Sequence, residues 1–70
     1  MTYFNFGSKI KSARIKKGLS QKDLADGLCT QGLVSKIEKG EVIPNALLLK
    51  DLCLKLTVSI DFILADDVLN

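Results

Sequence analysis

Histidine is absent from this chain. That removes the usual neutral-pH acid–base group, any Cys–His nucleophilic pair and the commonest zinc ligand. Only two cysteines are present, Cys29 and Cys53, enough for at most one bridge and too few for a zinc site. They are expected to be reduced, buried thiols that pack as small hydrophobes. No glycine-rich phosphate loop occurs, and the adjacent Asp66 and Asp67 lack a partner acid or base and read as solvated charge. With no convergent acid, base, nucleophile or metal set, neither an enzyme nor a bound cofactor is expected. No stretch approaches the ~20 consecutive apolar residues of a membrane span. Met1 to Gly7 lacks the apolar run of a secretory signal, so the expected address is the cytoplasm.

What is present is a 70-residue chain with 47% apolar side chains, enough for one domain with one core and a thin stability margin. Charge is distributed unevenly. Residues 1–40 hold eight basic and three acidic side chains, whereas residues 41–70 hold two basic and five acidic ones. A polyanion facing the first half suits this asymmetry.

Apolar spacing predicts helices throughout. Phe6, Ile10 and Ala13 recur at steps of four and three, giving a first helix from near Phe6 to Lys17, stopped at Gly18. Ser20-Gln21-Lys22-Asp23 reads as an N-cap with an acid three residues on, opening a second helix whose buried stripe is Leu24, Ala25 and Leu28. Thr30 caps a third, from about Gln31 to Lys39, with Val34 and Ile37 inward and Gln31, Gly32, Ser35 and Lys36 outward. Pro44 bars continuation past the next loop. A fourth helix starts behind Asn45 and ends near Leu56, with Leu49, Leu52, Cys53 and Leu56 inward. Ser59 caps a short fifth one reaching about Ala65. The expected fold is all-α, a compact five-helix bundle over residues 6–65, with an N-terminal extension (1–5) and a C-terminal tail (66–70).

The stretch Leu19-Ser20-Gln21-Lys22-Asp23-Leu24-Ala25, followed by Val34-Ser35-Lys36-Ile37-Glu38-Lys39-Gly40 and Pro44, closely resembles the Cro/repressor-like (XRE) helix-turn-helix family. The resemblance covers about residues 6–64 and implies a lambda-repressor-like DNA-binding domain of a transcriptional regulator. Ala25 and Val34 are nine residues apart, one fewer than is usual in the family. That shorter turn, Leu28-Cys29-Thr30-Gln31 followed by Val34-Ser35-Lys36-Ile37-Glu38, is similar to the DNA-binding domains of peptide-pheromone regulators of the Rgg/PlcR type. The resemblance implies a homodimer or part of a larger dimeric regulator, with a peptide-sensing domain in a longer relative.

The motif has its own physical logic. A helix of this length fits the major groove, where base edges display a readable donor and acceptor pattern, while the preceding helix crosses the backbone. Gln31 is then a candidate adenine reader. Lys36 would reach guanine or a phosphate, and Ser35 either. Gly32, where relatives carry a long polar side chain, would let the backbone approach DNA. The resemblance implies that Gln21 hydrogen-bonds a phosphate, with Lys22, Lys16 and Lys17 adding charge; Thr30 and Lys39 flank the set. Each has a plainer reading as a solvated helix residue. The resemblance further implies that Arg14 pairs with Glu38 to lock helix three against helix one, a structural role. Helix four is unusually apolar: Leu47 and Leu54 lie on one face outside the inward set, with Leu48 ambiguous. Together with Val68 and Leu69 these suggest a dimer interface or docking surface. The alternative function is accordingly a protein-interaction module of the same fold, an antitoxin or anti-repressor.

Overall fold

Four helices follow one another in the computed structural model, which describes residues 6–59 and 63. They are α1 (Phe6–Lys16), α2 (Gln21–Ala25), α3 (Gln31–Glu38) and α4 (Ala46–Leu56). All regular structure among the described residues is helical. Each matches a sequence-predicted helix, with α1 and α3 one residue shorter than expected. Of the fifth predicted helix only Ser59 and Ile63 are described; the 1–5 extension, the 66–70 tail and its Asp66, Asp67, Val68 and Leu69 lie outside the described residues.

Local chemistry sets the ends. Ser20 Oγ accepts the Asp23 N–H at 2.9 Å while Asp23 Oδ2 accepts the Ser20 N–H at 3.0 Å, a complete capping box that starts the short α2. Thr30 Oγ1 accepts the Leu33 N–H at 3.1 Å, and Asn45 Oδ1 accepts the Leu48 N–H at 2.8 Å. Gly18 (φ 78°) and Gly40 (φ 82°) turn the chain out of α1 and α3 through left-handed conformations that side-chain-bearing residues avoid. Thr57 does the same for α4 at φ 56°, an uncommon conformation for a β-branched residue. Its hydroxyl is held on both sides, accepting from Lys17 Nζ at 2.8 Å and donating to the Leu56 carbonyl at 2.6 Å.

The core gathers Phe6 and Ile10 of α1, Leu24 and Ala25 of α2, Val34 and Ile37 of α3, Leu52, Cys53 and Leu56 of α4, and Ile63. All but Ile63 are positions that the helical spacing of the sequence placed inward. Ala13, Leu28 and Leu49, expected inward, are only partly buried, and so is Leu48, which packs on the core margin. Leu28 lies in the turn past α2, which ends at Ala25, so its side chain covers the core from outside a helix.

Two contacts fix α3 against the rest. At Gly7 the backbone of α1 runs so close to the C-terminal turn of α3 that an added Cβ would collide with the Ile37 carbonyl oxygen and lie 3.0 Å from that of Glu38. Beside it, Arg14 and Glu38 pair as the resemblance implied. Arg14 Nε donates to Glu38 Oε2 at 2.7 Å and Nη2 to Oε1 at 3.2 Å, a two-pronged, charge-assisted geometry. Their side chains are only 11% and 3% exposed. Arg14 Nη1 also donates to the Leu19 carbonyl at 2.9 Å, and Gln21 Nε2 to Glu38 Oε1 at 3.1 Å. One carboxylate thus ties α1, the α1–α2 turn and the start of α2 to the end of α3.

Two outcomes follow from these contacts. Gly7→Ala lowers stability by about 1–3 kcal/mol in chemical denaturation, the cost of overpacking. Gly32→Ala, whose Cβ would meet nothing closer than Thr30 Oγ1 at 4.0 Å, raises it by up to about 1 kcal/mol through helix propensity. Equal responses at the two glycines would contradict the close approach. The hydrogen bonds from the Ser20 amide and hydroxyl hold the Asp23 carboxyl below the ordinary carboxylate range. A carboxyl depressed on folding contributes stability above its unfolded pKa and loses it as pH falls through the folded value. The melting-temperature gap between wild type and Asp23→Ala is therefore present at neutral pH and closes as pH falls below about 4; a pH-independent gap would count against the box.

Candidate nucleic-acid interface

At about 100° per residue, Gln31, Gly32, Ser35, Lys36 and Lys39 occupy one arc of α3, opposite the arc that places Val34 and Ile37 in the core. The structure brings these five together as expected. Gln31, Gly32, Lys36 and Lys39 are exposed, and Ser35 is half-buried. Among the described residues, the side chains of Gln31, Ser35, Lys36 and Lys39 make no hydrogen bond or ion pair. Lys39 is the C-cap of α3. Thr30, exposed at the N-cap, has its oxygen accepting the Leu33 amide, which leaves the hydroxyl proton to donate outward. Open space around Gly32 shows that no neighbour within the domain demands a glycine there, in contrast to Gly7.

The expected phosphate set divides in two. Lys22 is exposed in the first turn of α2. Gln21, expected to hydrogen-bond a phosphate, is half-buried and donates to Glu38. A primary amide carries two hydrogens, so one remains available outward. Lys16 and Lys17 are exposed but belong to another part of the surface. They line a groove of about 550 Å³ with Ser8, Ser12 and Thr57, between α1 and the end of α4, and Lys17 is bonded to Thr57 there. The structure does not gather these two with the α3 arc.

Sequence reasoning missed Gly7, whose role is to let α1 approach α3. The available signal was a poor helix former standing in an otherwise regular helical run. It also missed the Gln21–Glu38 contact, which joins residues 17 positions apart and has no periodic signature.

Other chemistry is sparse. Cys53 is buried, while Cys29 is only half-buried, a departure from the expected pair of buried thiols; neither is in a disulfide. Burial pushes both thiols above their ordinary range, so they are protonated at neutral pH and poor nucleophiles. Among the described residues no group of three His, Cys, Asp or Glu is placed to hold a metal ion. Nor is any described helix long and apolar enough to cross a membrane.

The model of the helix-turn-helix family HTH_3 matches residues 10–63. The fold superposes on PlcR of Bacillus thuringiensis, solved in complex with the peptide PapR7 and DNA, with a TM-score of 0.85 and 34% identity. That match covers 97% of this chain and 24% of PlcR, so the chain spans about a quarter of that protein's length. Two structures of ClgR, the clp gene regulator of Corynebacterium glutamicum, match with TM-scores of 0.84 and 0.83, each at 26% identity over 91% of this chain. They are covered to 69% and 83% of their own lengths. No curated protein sequence matches the chain. The four-helix framework, the capped helix pair α2–α3 and the matching family model lead to one conclusion: this chain belongs to the HTH_3, XRE-type, lambda-repressor-like helix-turn-helix domains.

Proposed function

We propose that this chain is the sequence-reading head of a transcriptional regulator, laying α3 in the major groove of duplex DNA. The observation that carries the reading is the outward arc of α3, whose polar side chains have no partner within the described residues although the helix itself is pinned by Gly7 and Glu38. Unpaired donors on a rigid helix are what direct readout requires. Gln31 serves adenine, Lys36 guanine or a phosphate, and Ser35 either; Gly32 admits the backbone to the groove. Gln21, Lys22, Thr30 and Lys39 hold phosphates, and Lys17 adds longer-range charge only. The similar PlcR structure contains DNA, which supports the assignment.

The reading includes a fifth helix over 59–65, supported by the Ile63 N–H donating to the Ser59 carbonyl at 3.3 Å. It also includes a two-fold pair of heads on half-sites about one helical turn apart, formed by a homodimer or within a larger dimeric regulator. A peptide-sensing domain would belong to a longer relative. A second reading, a protein-interaction module, is favoured by one observation: Leu47 and Leu54 on α4 are 66% and 65% exposed.

Selection of bound sites from a random duplex library tests the first reading. Gln31→Ala and Lys36→Ala each relax preference at one position and weaken the selected site by about 10- to 100-fold. Lys22→Ala weakens all sequences alike and lowers the salt slope by about one. Unchanged preference in both α3 variants would overturn the groove assignment. Salt-insensitive capture of a protein, without DNA retention, would favour the second reading.

A further inference from the structure

The outer face of α4 carries a short charge palindrome. At about 100° per residue, Leu47, Lys50, Asp51 and Leu54 share one stripe, diametrically opposite the buried Leu52, Cys53 and Leu56. The two leucines stand at its ends and the lysine and aspartate at its middle. Among the described residues neither Lys50 nor Asp51 has a side-chain hydrogen bond or ion pair.

We infer that this stripe docks a second copy of the same chain, α4 against α4 in antiparallel fashion about a two-fold axis passing between Lys50 and Asp51. The inference deepens the proposed function and rests on its two-headed arrangement. A two-fold interface must be self-complementary. Turning the stripe end for end sets Leu47 of one copy on Leu54 of the other, and Leu54 on Leu47. It also sets Lys50 against the other copy's Asp51, twice. Every charge meets its opposite and every leucine a leucine. A partner of unrelated sequence would have no reason to need that symmetry.

The size of the patch fixes how the pair behaves. Two leucines and the stem of one lysine on each copy bury a few hundred Å² per side, short of the roughly 1,200 Å² total of a stable interface. The isolated domains therefore associate weakly, and the contact matters when two heads are already neighbours on adjacent half-sites. It then acts as cooperativity.

The test uses the full chain and four proteins: wild type, Lys50→Glu, Asp51→Lys and the double exchange. Sedimentation equilibrium at high concentration reads self-association, and duplexes bearing one or two half-sites read cooperativity. Circular dichroism checks that each variant folds, as expected for substitutions off the core. Each single exchange turns both attractive pairs into repulsive ones and weakens self-association and cooperativity by about tenfold. The double exchange restores both. An equimolar mixture of the two single variants associates where neither does alone. In the mixed pair both acids of the Lys50→Glu copy face the two lysines of the Asp51→Lys copy. A strict monomer that fills two half-sites independently, or association indifferent to the exchanges, overturns the inference. Retention on a single half-site is read separately. If it persists in either of those cases, the α4 contact alone fails; charge-dependent association without retention would instead sink the DNA reading and leave the α4 contact standing.

Discussion

The position of α3 depends on one carboxylate. Glu38 has a side chain that is 3% exposed, where an ionised group without partners would be strongly destabilising. It is satisfied by two donors from Arg14 and one from Gln21. Those donors come from different elements, so satisfying Glu38 sets the relation between α1, α2 and α3. A domain of this size has little core to spare. Apolar burial of Val34 and Ile37 would hold α3 onto the bundle but would tolerate rotation or sliding of the helix. Directional, charge-assisted hydrogen bonds tolerate much less. Gly7 completes the restraint by letting the backbone of α1 reach the carbonyls of Ile37 and Glu38. The last turn of α3 is thereby clamped, while its outward arc of Gln31, Gly32, Lys36 and Lys39 is exposed.

That division of labour links fold to function through Gln21. Its amide nitrogen is anchored on the carboxylate that positions α3, and its second hydrogen is left for a phosphate in the proposed complex. A backbone contact at α2 and base contacts at α3 are then referred to the same internal point. The lysines do not share this precision. Lys17 is bonded to Thr57 at the C-terminal end of α4, and in the proposed complex it adds charge to the field around the domain.

Much of this was legible in the sequence, because it depends on short-range patterns. Ile10, Val34, Ile37, Leu52 and Leu56 repeat at helical steps and all are buried. Ser20, Thr30 and Asn45 stand one residue ahead of their helices, and each caps through its side chain. The outward set on α3 follows from the same periodicity. Arg14–Glu38 was read through family resemblance, since a pair 24 residues apart leaves no local trace. What stayed hidden depends on three-dimensional proximity alone: the collision space at Gly7, the bond from Gln21 to Glu38, and the grouping of Lys16 and Lys17 with Thr57. Periodicity also overstates burial at helix margins. Ala13, Leu28 and Leu49 fit an apolar stripe, yet they only cover the edge of the core.

The Arg14–Glu38 pair, and not apolar packing alone, holds α3 in place. A double-mutant cycle in urea unfolding, with Arg14→Met, Glu38→Gln and the double variant, measures it directly. A coupling of about 1.5–3 kcal/mol is expected, the range of hydrogen bonds to charged groups. Additivity within about 0.5 kcal/mol would contradict it, leaving α3 held by Val34, Ile37 and the Gly7 contact without the pair.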